Sequence, residues 1–151
     1  MEIRELLKKD HEKVKELLEK MSSGKLQEDA LKTTFDEFKV ALTSHSKAEE
    51  KVVYAKLKKE KEEETQEAGI EGEIEHGLVD QLLQVMARSR SKGSTRWEAY
   101  LKVIKDLLEH HIKEEESTVF TQLGEHFDAT ALQKMGEEME QEKNKVMKAA
   151  A

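Results

Sequence analysis

The chain has 151 residues, 36% hydrophobic and 39% charged, with no proline, no cysteine, 5% aromatics and a net charge of -7. That length suits one domain with a core of its own, and the composition favours helices with solvated outer faces over a sandwich or barrel. Without cysteine there is no disulfide, thiolate nucleophile or iron–sulfur cluster, and the acidic balance without a basic stripe speaks against nucleic acid. No apolar run approaches the roughly 20 residues of a membrane span, and the start MEIRELLKKDHEK is charged from its second residue, unlike a signal peptide, so a cytoplasmic protein is expected.

In chain order, a first helix is predicted over about residues 2–21, where Ile3, Leu6, Leu7, Val14, Leu17, Leu18 and Met21 keep helical spacing. Ser22, Ser23 and Gly24 end it. A second begins near Gln27 and Glu28, carries Leu31, Phe35, Phe38, Leu42, Val52, Val53 and Leu57, and runs out into KKEKEEETQE, read as a solvated helix end. AGIEG, residues 68–72, reads as the next break. The third helix, about 73–87, places Ile74, Leu78, Val79, Leu82, Leu83 and Met86 on its apolar side. SRSKGST is a loop, and the fourth helix covers about 95–123, opened by Trp97 and Tyr100 as packing residues. Asp128 is the expected N-cap of a short last helix, with Phe127 and Leu132 at staple spacing. The predicted fold is all-α: an up-down-up-down four-helix bundle, about residues 2–123, plus an extra short C-terminal helix, about 128–148, in a single domain spanning 1–151.

The chain repeats itself around its histidines. Counted from His11 and from His76, both helices carry Val at +3, Leu-Leu at +6 and +7, and Met at +10. Counted from His45 and from His111, both carry Glu-Glu at +4 and +5, Val at +8, an aromatic at +9 (Tyr54, Phe120) and Leu at +12. The intervals agree as well: 45 − 11 is 34 and 111 − 76 is 35. The bundle is therefore built from two similar helical hairpins.

Each of the four histidines lies in an apolar stripe, where four imidazoles and two carboxylates would be a costly polar core unless they met a common partner. A metal pair is such a partner. Imidazole and carboxylate suit iron, manganese or zinc, and a carboxylate can bridge two ions. The expected arrangement has His11 and His45 on one ion, His76 and His111 on the other, and Glu49 and Glu115 bridging. Met21 and Met86 are core by register, His110 is exposed or in an outer layer, His126 is at the surface, and Glu50, Glu114 and Glu116 are solvated. A competing register would pair His110 with Glu114, but only His111 keeps the repeat aligned.

The set H, HxxxE, H, HxxxE on successive helices resembles the hemerythrin-like (HHE) domain family. It reads here as KDHEK around His11, HSKAEE from His45, EIEHG around His76 and HIKEEE from His111. The resemblance implies two non-haem iron ions with an oxo or hydroxo bridge. It also implies reversible O2 binding, storage or sensing as the function, with O2 or a related molecule (peroxide, NO) as partner. One departure stands out: where oxygen carriers of that family have a second third-helix histidine, as HxxxH, this chain has Asp80, and Lys15 is the equivalent on the first helix. Asp80 is a possible ligand, a partner of a ligand histidine, or a surface residue. With fewer nitrogen ligands more coordination positions stay open, so the second reading is a di-iron enzyme or stress protein acting on peroxide, NO or ferrous iron, peroxidase- or ferroxidase-like.

Overall fold

The computed structural model describes residues 1–150, and among them it is helical with no strand. Helix α1 is Ile3–Ser22, and Gly24 turns the chain with φ +72°, a left-handed angle that suits glycine. Helix α2 occupies residues 28–58 in three continuous stretches: Glu28–Glu49, a π-helical turn Glu50–Tyr54, and Ala55–Lys58. Helix α3 is Glu63–Arg88. Helix α4 occupies residues 95–126, again in three stretches: Thr95–Glu114, a π-helical turn Glu115–Val119, and Phe120–His126. Helix α5 is Ala129–Ala150. Ser94 caps α4 by accepting from the Trp97 N–H at 3.2 Å, and Asp128 caps α5 through the Ala131 N–H at 2.8 Å, as its sequence position predicts.

The break between α2 and α3 falls at residues 59–62, inside the charge run, and not at AGIEG, which lies within α3. Its glycines serve a close approach. A Cβ on Gly72 would come within 2.7 Å of the Tyr54 ring and hydroxyl, and one on Gly69 within 3.1 Å of the Tyr54 carbonyl. Bare backbone here lets α2 and α3 press together around Tyr54, which is fully buried. Helix stability depends on this packing more than on propensity, so two interior glycines do not end it.

Two apolar clusters make the core. One gathers Val14, Leu17, Leu18 and Met21 with Phe35, Phe38, Leu83, Met86, Trp97 and Ile104. The other gathers Ile3, Leu6 and Leu7 with Val52, Val53, Tyr54, Leu57, Val119 and Leu123. In sequence the histidines fall between them: His11 between Leu7 and Val14, His45 between Leu42 and Ala48, His111 between Leu108 and Val119. The polar residues thus form a layer across the bundle, sealed by apolar side chains at both ends.

Helix α5 is not short: its 22 residues exceed the 20 of α1. It runs along α1 and α2, placing Leu132, Met135 and Met139 in the second cluster. Gly136 is needed there, because a Cβ would meet the backbone of Glu2 and Ile3. Ion pairs fasten the same edge, Lys56 to Glu138 at 2.7 Å and Lys143 to Asp10 at 2.6 Å. Ile74 and Leu78, read from spacing as core, are instead exposed on the outer face of α3. No helix among the described residues is long and apolar enough to cross a membrane.

Candidate metal centre

Four helices each deliver one histidine to the polar layer, and the π-turns begin where the carboxylates sit. The Ala55 N–H reaches the Glu50 carbonyl and the Phe120 N–H the Glu115 carbonyl, each five residues back. Such a turn inserts an extra residue and rotates the rest of the helix toward another side, and π-turns cluster at functional sites. It lets three successive residues, Val52, Val53 and Tyr54, all be buried just after Glu49.

The imidazole Nε2 atoms all face inward. His11 Nε2 lies 3.0 Å from Glu115 Oε1, and His76 Nε2 lies 3.2 Å from Glu49 Oε1. His45 Nε2 is 3.4 Å from Glu49, and His111 Nε2 is 3.4 Å from Glu115. Two sets result, His11, His45, Glu49 and Glu115, and Glu49, His76, His111 and Glu115; within each, donor atoms lie within 4.8 Å of one another. All six residues are buried, and Glu49 and Glu115 belong to both sets. The sequence reading grouped the same six residues in this way.

The outer nitrogens follow a two-fold pattern that the sequence reading missed. His45 Nδ1–H donates to Asp10 at 2.8 Å, and His111 Nδ1–H to Glu75 at 2.7 Å; each acid precedes the other helix's histidine. His11 Nδ1–H donates to Glu116 at 2.8 Å and His76 Nδ1–H to Glu50 at 3.1 Å. Glu50 and Glu116, expected to be solvated, therefore hold histidine rings. A carboxylate on Nδ1–H fixes the tautomer, orients Nε2 inward and raises its basicity, the usual arrangement behind metal-binding imidazoles. The signal was present in sequence as Asp10-His11, Glu75-His76 and the second Glu of each Glu-Glu pair, but only packing shows which ring each acid meets.

The inner atoms are poorly satisfied by one another. His11 Nε2, His45 Nε2, both oxygens of Glu49 and Oε1 of Glu115 are buried without a hydrogen-bond partner, close to opposite charge but not aligned with it. Orphaned buried polar atoms are costly, and converging nitrogen and carboxylate donors fit metal ions. Charge shifts follow the geometry. Burial acts to lower the basicity of His45 and His111, yet the carboxylates beside each outweigh it and push both up to about 10. His76 is raised against burial by Glu49 and Glu50. Glu115 is held well below the usual carboxylate range: burial opposes this, and the groups packed against it, His11 and His111 among them, prevail. A metal would take over the role that protons play between these groups.

Tyr54 is the functional-site residue that spacing alone did not single out. Its hydroxyl donates to Glu115 Oε2 and lies 3.4 Å from both His76 Nε2 and His111 Nε2. Burial first, then the carboxylates of Glu115 and Glu49, push its pKa well above the usual phenol value, so the phenol keeps its proton. Asp80 joins neither set: it is exposed and accepts from Gln84 at 3.5 Å. Lys15 is exposed as well. The His110 side chain is 61% exposed while His111 points inward, which decides the register. His126 is tucked against Thr65 at 3.0 Å, a structural contact at the end of the bundle.

A helical bundle that brings two histidine pairs and two shared carboxylates into its sealed middle is a metal-binding protein by class. The hemerythrin HHE cation-binding domain matches residues 2–123, most of the chain, and the protein belongs to that family. Comparisons with curated proteins and with solved structures returned no match. Helix α5 lies beyond the matched residues.

Proposed function

We propose that this is a non-haem di-iron protein that binds O2 reversibly. His11 and His45 would hold one ion, His76 and His111 the other, and Glu49 and Glu115 would span the two. The observation that carries the reading is the set of unpartnered inner donors, Nε2 and carboxylate, backed by carboxylates on every Nδ1. Each set offers two imidazoles and two shared carboxylates, nitrogen and oxygen donors that suit iron. Held there, two iron ions would supply reversible electron transfer to a small diatomic molecule. The chain's part is to exclude bulk water, through Leu7, Val14, Leu42, Leu108 and Val119, and to hold donors still. A cavity of about 120 Å³ bordered by Leu42, Thr43, Glu50, His76 and Asp80 leads a small molecule toward the His76 side.

A second reading, an enzyme acting on peroxide, NO or ferrous iron, is favoured by the Tyr54 hydroxyl. It is a hydrogen-bond donor to Glu115 set in the His76–His111 half. The deciding experiment is a visible spectrum of anaerobic, ferrous-loaded protein before O2, after O2 and after its removal. A band that appears and disappears supports reversible binding. Rapid irreversible conversion overturns it in favour of turnover chemistry, and Tyr54→Phe should then slow that conversion.

A further inference from the structure

Helix α3 carries an apolar stripe on its outer face that nothing in the chain covers. Ile74 is 60% exposed, Ile70 and Leu78 each 48%, and Val85 42%. At about 100° per residue these four fall within roughly 80° of one another, one continuous ridge along the helix. The other exposed apolar residues within the helices, Val40, Val103 and Met147, stand singly on α2, α4 and α5. Gly77 sits beside Leu78, and a Cβ there would meet nothing within 4 Å, so the middle of the ridge is bare backbone open to close approach.

Charge is distributed to match. Glu67 lies three residues before Ile70, and Arg88 three residues after Val85, both on the same side of the helix and both exposed. The N-terminal half of α3 adds Glu63, Glu64 and Glu71, while Arg90 follows just beyond its C-terminal end. Glu63, Glu67, Arg88 and Arg90 have no ion-pair partner among the described residues. A two-fold axis passing beside residues 77 and 78 pairs residue i with residue 155 − i of a second, antiparallel helix. Ile70 then meets Val85, Ile74 meets Gln81, Leu78 lies over the bare backbone of Gly77 beside the axis, and Glu67 meets Arg88 at both ends. A parallel pairing would set Glu67 against Glu67.

We propose that the outer face of α3 is the interface of an antiparallel homodimer, closed by reciprocal Glu67–Arg88 pairs around the Ile70–Ile74–Leu78–Val85 ridge. The partner is a second copy of this chain. A C2 contact needs one self-complementary patch, and this stripe with opposite charge at its two ends is self-complementary. The same helix bears Glu75 and His76, so the dimer would stiffen the outer side of the second histidine pair.

Sedimentation velocity of the full chain over about 1–100 μM tests this. The wild type should move from monomer to dimer across that range. Leu78→Glu should weaken association at least about tenfold, with helicity by circular dichroism unchanged because the site is exposed. Val103→Glu, on α4, should leave association intact. Glu67→Arg and Arg88→Glu should each weaken the dimer, and the double reversal should restore it to within about threefold. A wild type that stays monomeric, a dimer that survives Leu78→Glu, loss of the dimer by Val103→Glu, or a double reversal without rescue overturns the proposal.

Discussion

On one side of the polar layer His11 leans on Glu116 and His45 on Asp10; on the other His76 leans on Glu50 and His111 on Glu75. Inward, the two halves offer the same donor types, but His11 and His45 Nε2 have no hydrogen-bond partner, whereas His76 and His111 Nε2 lie 3.1 Å apart. Outward they part. Asp10 is also gripped by Lys143 of α5 at 2.6 Å, whereas Glu75 has only the exposed His110 ring nearby at 3.7 Å. Tyr54 presses its hydroxyl into the His76–His111 half, while its repeat-mate Phe120 has no hydroxyl and packs against the second apolar cluster. The donor atoms keep the symmetry because two like ions would require like donors. The surroundings are free to differ, and they give one half a hydrogen-bonding hydroxyl and the other a brace from outside the matched bundle.

The largest test strikes what the halves share. Replacing Glu49 by Ala removes a carboxylate that faces both sets, so bound metal, by elemental analysis, should fall by about one ion or more per chain. Unchanged metal content in both Glu49→Ala and Glu115→Ala would remove the bridging role. The next test strikes one half. Gly72→Ala must displace Tyr54, and overpacking of that kind costs about 1–3 kcal/mol, read as a lowered urea midpoint. Gly77→Ala on the same helix, with open space around it, should cost nothing and gain up to about 1 kcal/mol from helix propensity.

The metal-free protein should show a pH response common to both halves. His45 and His111, raised from 6.5 to about 10, contribute stability that is complete below pH 6.5 and lost as pH rises toward 10. Glu115, lowered from 4.5, contributes stability present above pH 4.5 and lost as pH falls below it. The thermal midpoint of metal-free protein should therefore peak between pH 4.5 and 6.5 and decline on the alkaline side. Asp10→Asn should shrink that decline through His45 alone, and Glu75→Gln through His111 alone. A midpoint that rises from about pH 6.5 to about pH 9 would contradict the charge assignment.

The smallest effect separates the halves. Lys143→Met frees Asp10 from α5, one step removed from His45, so it should weaken one of two ions by less than the roughly tenfold expected for a direct partner. Lys143→Arg should restore it. A competitive chelator titration that resolves two affinities would show which ion moved; equal weakening of both would mean that the brace acts on the whole fold.

The helical class, the two-hairpin repeat and the six residues that converge in the middle were legible from the order of residues alone. Residue type, helical period and the HxxxE spacing are local, and they survive any way of packing the helices. Asp128 as a cap and Met21 and Met86 as core were legible for the same reason. The remainder needed contacts between helices. AGIEG read as a break because glycine is a poor helix former, and only the nearness of Tyr54 shows why bare backbone is wanted there. Ile74 and Leu78 read as core because period gives a face but not which face is covered. Glu50 and Glu116 read as solvated because a charge next to a ligand position looks like any helix surface until a ring from another helix meets it. The π-turns, the placement of α5 and the inward turn of Tyr54 were settled by packing, where small shifts in register decide which side chain reaches the polar layer.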